Sequence, residues 1–159
     1  MALMIEAFPD HLRAIGVIAV RWASVDKMLY DILSKRLLMA EAAHTLRTCG
    51  AGKSRLEYFA ARLNEADVSV ADRRAMLAGV AALIALADER NLIIHGQYGV
   101  VMGPEDVLAP SYSDIGLMKR DDYSDGRLDP RLVTIDHFMR HADGVNAASQ
   151  ALRDFLYRG

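Results

Sequence analysis

The chain has 159 residues, 52% of them hydrophobic and 25% charged, which fits one globular domain over 1–159 and excludes a disordered tract. A formal net charge of −2 excludes a protein that coats nucleic acid through bulk charge, though not one that engages RNA at a small local site. Aromatic residues are sparse at 7%, and the apolar weight lies in Ala, Leu, Ile, Val and Met, which suits helices packed on helices.

Cys49 is the single cysteine, so no intramolecular disulfide is available and nothing points to an oxidising compartment. Met1 to Glu6 lack the basic start and long apolar stretch of a signal peptide. No run approaches the ~18–20 apolar residues of a membrane span. The expectation is a cytoplasmic protein with no membrane association.

The first helix is expected from near Asp10, with Pro9 before it, to about residue 39. Its apolar stripe is Leu12, Ile15, Ile18, Ala19, Trp22, Val25, Leu29, Ile32 and Leu33. A polar break follows, punctuated by Gly50 and Gly52. A second helix is predicted over 54–64, with Leu56, Phe59, Ala60 and Leu63 inward. A third, capped by Ser69 or Asp72, carries Met76, Leu77, Val80, Leu83, Ile84 and Ala87 and runs to His95, where Gly96 stops it.

Residues 97–130 hold four glycines and three prolines, so no long helix runs there. Two short strands, over 98–102 and 116–120, would make a hairpin-like insert. A last helix over 134–157 carries Ile135, Phe138, Met139, Ala142, Val145, Ala148, Leu152, Phe155 and Leu156. The predicted fold is all-α: a four-helix up-down bundle with a short hairpin-like insert before the last helix.

Three patterns fail as chemical motifs. Gly50-Ala51-Gly52-Lys53-Ser54 ends like a phosphate-binding loop, but Arg47 stands where the first glycine is required, and a helix rather than a strand precedes it. His137 and His141 have the i, i+4 spacing of metal ligands, yet no third ligand is evident, and they read as solvated helix residues. Asp121, Asp122, Asp125 and Asp129 lack the spacing of a calcium loop, and His11 and His44 have no identifiable partners. No metal or other cofactor is therefore expected.

The segment Asp88-Glu89-Arg90-Asn91-Leu92-Ile93-Ile94-His95-Gly96 resembles the signature of the HEPN superfamily: an arginine, a polar neighbour, and a histidine a few positions on. The order of elements is similar too, with a long first helix bearing a tryptophan and a third helix ending in the motif. The resemblance implies a metal-independent endoribonuclease, often the toxin of a toxin–antitoxin pair, acting as a homodimer on RNA and masked by an antitoxin protein. It also extends to members that bind without cutting.

The residue chemistry is consistent with that. Cleavage without a metal needs a base for the 2′-hydroxyl proton and an acid for the leaving oxygen, and an imidazole with a pKa near ~6.5 does either. Arg90 supplies a fixed planar fork for the phosphate, and Asn91 orients His95 or contacts the phosphate. On a regular helix, however, positions 90 and 95 lie about 140° apart, whereas 91 and 95 share a face. Either the helix unwinds at His95, or a second copy completes a composite site at a homodimer interface.

A plainer reading stands beside this one. His95 caps the negative end of the helix dipole and Arg90 pairs with Asp88 or Glu89. The alternative function is then a non-catalytic helical interaction or dimerisation module, to which eight methionines would suit a partner surface. Asp26, one turn beyond Trp22, is a further candidate, with Arg90, Arg21 or Lys27 as its partner.

Overall fold

The computed structural model describes residues 9–50, 52–95, 97–100, 115–118 and 131–158, the three short strands by backbone alone. The fold is all-α, as the apolar periodicity predicts. Its elements are α1 (Pro9–Asp31), a π-helical turn (Ile32–Arg36), α2 (Ala40–Thr48), α3 (Lys53–Glu65), α4 (Val70–His95), β1 (Gln97–Val100), β2 (Ile115–Met118), β3 (Arg131–Val133), α5 (Ile135–Ala148) and α6 (Gln150–Tyr157).

Local chemistry accounts for most boundaries. Pro9 occupies the first turn of α1, where no amide donor is needed. Ser69 caps α4: its hydroxyl accepts from the Asp72 amide at 3.0 Å and donates to the Asp72 carboxylate at 2.8 Å. Thr134 caps α5 by accepting the His137 amide at 3.2 Å.

Three boundaries depart from the sequence-based expectation. The first helix does not stay regular to residue 39. At Ile32 the backbone widens, the Leu37 amide bonding back to the Ile32 carbonyl at 2.9 Å, and Leu38 follows with φ of 54°. The region read as a polar break forms α2, which buries Ala42, Ala43 and Leu46. The last helix is split at Ser149, whose hydroxyl bonds to the Asn146 carbonyl at 3.1 Å.

The left-handed conformation at Leu38 costs a branched residue about 1–2 kcal/mol, and its side chain is 80% exposed, so little burial offsets this. Leu38→Gly should therefore raise stability slightly, by up to about 1 kcal/mol after the added freedom of the unfolded chain, seen as a small rise in the urea midpoint. A lowered midpoint would contradict this account.

Contacts gather the described residues into two units, one within Met1–Ala19 and Glu89–Ala142, the other within Val20–Asp88 and Asp143–Gly159. The second unit is built on Trp22, Leu29, Leu33, Leu46, Phe59, Leu63, Met76, Leu83 and Leu152, all buried. In it a Cβ on Gly79 would stand 2.5 Å from the Ala148 carbonyl oxygen, so the close approach of these two backbones requires glycine. The first unit buries Ala14, Ile18, Ile93, Phe138 and Ala142, with the His11 ring edge-on to Phe138 at 6.0 Å.

The first unit also holds the sheet, ordered β1-β2-β3 and antiparallel throughout, with Tyr98 opposite Leu117 and Gly116 opposite Leu132. The expected hairpin is thus present over 97–100 and 115–118, joined by a third strand that the sequence did not suggest. The remainder of the 97–130 insert, the acidic positions 121–129 and the Gly96 stop lie outside the described residues. Leu12, expected inward, is 47% exposed, and Ile135 and Met139 are 37% exposed, while their neighbours His11 and Phe138 hold the buried positions at 3% and 0%.

Candidate active site at the end of helix α4

Helix α4 stays regular through His95, so the unwinding considered for that position does not occur. Asn91 and His95 are both exposed and one turn apart on the same face. Ile93, between them in sequence, is fully buried and pins the opposite face of this last turn. Arg90 is half-buried, and its Nη1 donates to Asn91 Oδ1 at 2.8 Å.

That bond has a geometric consequence. It brings the guanidinium of Arg90 to the amide of Asn91, which lies one turn before His95 on the same face. Its Nε is buried without a hydrogen-bond partner among the described residues. The helix thus ends with an amide bonded to a guanidinium, and with an exposed His95 one turn beyond Asn91.

The plainer reading of Arg90 as an ion-pair partner of its own neighbours is not what the side chains do. Glu89 faces the other way and lies between two histidines of α5. Its Oε1 accepts from His137 Nε2 at 2.8 Å and its Oε2 from His141 Nδ1 at 2.9 Å. His141 is buried and His137 half-buried, so neither is the solvated residue that the i, i+4 spacing suggested. Sequence spacing gave no signal of this contact, because Glu89 and His141 are 52 positions apart. The three groups meet at direct hydrogen-bond distance, and among the described residues no set of three or more His, Cys, Asp or Glu side chains is arranged to hold a metal ion.

Burial works to raise the Glu89 carboxyl, but the hydrogen bond from His141 and the charges of His137 and His141 outweigh it, leaving the carboxyl below its ordinary value of 4.5. Asp31, bonded by Lys27 against the opposing effect of burial and then by Lys35, also lies below its ordinary 3.8. Asp72 is lowered as well, first by the Ser69 hydroxyl and then by Arg158.

In each case the folded carboxyl keeps its charge to lower pH than the unfolded one. The stabilisation is complete above the ordinary values and is lost as pH falls through the lower folded ones. Urea midpoints measured from about pH 7 down to pH 3 should hold level and then drop below about pH 4.5, and Glu89→Gln should shrink the drop. A midpoint that rises on acidification would refute this.

Asp26 pairs with none of its expected partners. Arg55 of α3 holds it at 2.7 Å, while Arg21 bonds Asp143 at 2.9 Å and Lys27 bonds Asp31. Gly52 adopts φ of 61° at the start of α3, a turn position suited to glycine, and α2 precedes it, which upholds the rejection of the phosphate-loop pattern.

The fold and this site define an all-α protein whose longest helix ends in an exposed Asn91–His95 face with Arg90 bonded onto it. No protein-family model, curated protein or solved structure matches the chain. Among the described residues no helix is long and apolar enough to cross a membrane.

Proposed function

We propose that the chain is a metal-independent endoribonuclease of the HEPN type that acts as a homodimer. The observation supporting this reading is the Arg90–Asn91 hydrogen bond, which joins the guanidinium to a residue one turn from the exposed His95. Arg90 binds the scissile phosphate and stabilises its developing charge. One histidine removes the 2′-hydroxyl proton, the freed oxygen attacks phosphorus, and a second histidine protonates the departing 5′-oxygen. The products are a 2′,3′-cyclic phosphate and a 5′-hydroxyl.

Each chain supplies one such histidine, so the two proton transfers call for the His95 of a second copy, with both α4 ends facing one cleft. The net charge of −2 makes RNA affinity local and salt-sensitive. An activity of this kind would need an antitoxin protein that covers the exposed α4 end.

Expression in a bacterial host with and without the motif residues tests the proposal. Growth arrest by wild type, relieved by Arg90→Ala or by His95→Ala, together with cyclic-phosphate ends on the cut RNA, is the expected result. Equal growth of all three strains, with purified wild type leaving RNA intact, would leave the interaction module as the better reading. Sedimentation showing a strict monomer at micromolar concentration would remove the composite site.

A further inference from the structure

Roll of a helix about its own axis is the motion that would scatter the α4 motif. At a helix radius of ~5–6 Å, a roll of about 10° carries a side chain about 1 Å sideways. Displacement on that scale costs about 10²-fold in a reaction that depends on alignment.

The chain restrains that motion from the far side of α4. Glu89 lies about 160° round the helix from Asn91 and about 120° from His95. Its Oε1 accepts from His137 Nε2 at 2.8 Å, and its Oε2 from His141 Nδ1 at 2.9 Å. The two histidines stand one turn apart on α5, so the carboxylate grips a length of that helix and not a single point. The His141 side chain is 1% exposed, which seats one of the two bonds away from water. Ile93, one turn past Glu89 on the same face, is fully buried. Apolar packing of that kind is non-directional, so it opposes separation of the helices more than rolling. Hydrogen bonds weaken steeply when misaligned, so two of them spaced along α5 oppose roll.

We propose that Glu89 is a positioning residue, its two bonds to α5 fixing the roll of the last turns of α4 and thereby the directions of Arg90, Asn91 and His95. Its effect on cleavage rests on the nuclease reading, whereas its effect on the helix end does not.

NMR signals of the Asn91 side-chain amide and the His95 ring test the effect on the helix end, and kinetics on a defined RNA test the effect on cleavage. Glu89→Ala and Glu89→Gln are compared with Asp31→Ala, which removes another carboxylate bonded at both oxygens, by Lys27 and Lys35, in the other unit. All are measured well below their thermal midpoints, where each is folded. In Glu89→Ala the Asn91 and His95 signals should shift or broaden, and kcat should fall about tenfold or more. Glu89→Gln, which keeps the length and one acceptor oxygen, should restore both in part. Asp31→Ala should leave both at wild-type values. Unmoved signals in Glu89→Ala, or equal displacement in Asp31→Ala, would overturn the proposal. Displaced signals with kcat at the wild-type value would overturn its catalytic part. Displaced signals in a chain whose wild type cuts no RNA would support the positioning and count against the nuclease reading alone.

Discussion

For the proposed nuclease, replacing His95 with alanine is expected to lower RNA cleavage by about 10²–10⁴-fold, the usual contribution of a positioned proton-transfer group. The side chain is exposed at the end of α4, so the thermal midpoint should stay close to the wild-type value. Arg90→Ala should cost about 10²–10³-fold, because it removes the donor proposed for the phosphate charge. Arg90→Lys should fall between, keeping a charge but losing the planar fork and the bond to Asn91. Initial rates on a defined RNA, with midpoints measured on the same samples, check all three. Cleavage that persists undiminished in His95→Ala would locate the chemistry elsewhere.

The largest effect on stability is expected at Phe59. Its ring is fully buried in α3 and is among the bulkiest side chains wholly withdrawn from solvent. Phe59→Ala removes that apolar surface and opens a cavity that the helices close only in part, a loss of about 3–5 kcal/mol. Urea unfolding should show a greatly lowered midpoint, or no cooperative transition at all. Leu12→Ala, at a 47% exposed position, should change stability by less than about 1 kcal/mol. Similar losses at the two positions would mean that burial does not rank their contributions.

The helices that were legible from sequence are those whose apolar spacing persists for several turns. The stripe Met76, Val80, Leu83 and Ala87 and the Ser69 cap located α4, and Leu56, Phe59 and Leu63 located α3. Helix α2 escaped because Ala42, Ala43 and Leu46 form too short a stripe, beside glycines that draw the eye as turn residues. The break at Ser149 escaped because the apolar spacing continues from Val145 to Leu152 across it. The widened turn at Ile32 has no local signal, since it changes hydrogen-bond partners without changing which residues are buried.

The same distinction holds at the site. Arg90, Asn91 and His95 are neighbours in sequence, so their spacing could be read directly. The contacts of Glu89 with His137 and His141, and of Asp26 with Arg55, depend on which helices meet, and no local pattern encodes that.

The forked attachment of Glu89 has an implication for mutational tolerance. Each carboxylate oxygen has its own imidazole, one near the surface and one enclosed. Loss of the outer ring leaves the acid anchored by the inner one, so His137 is free to drift. Once it has drifted, a change at His141 removes the last imidazole bonded to the acid. The cost of losing either ring should therefore depend on whether the other is still present, a form of epistasis built into the residue that immediately precedes the arginine.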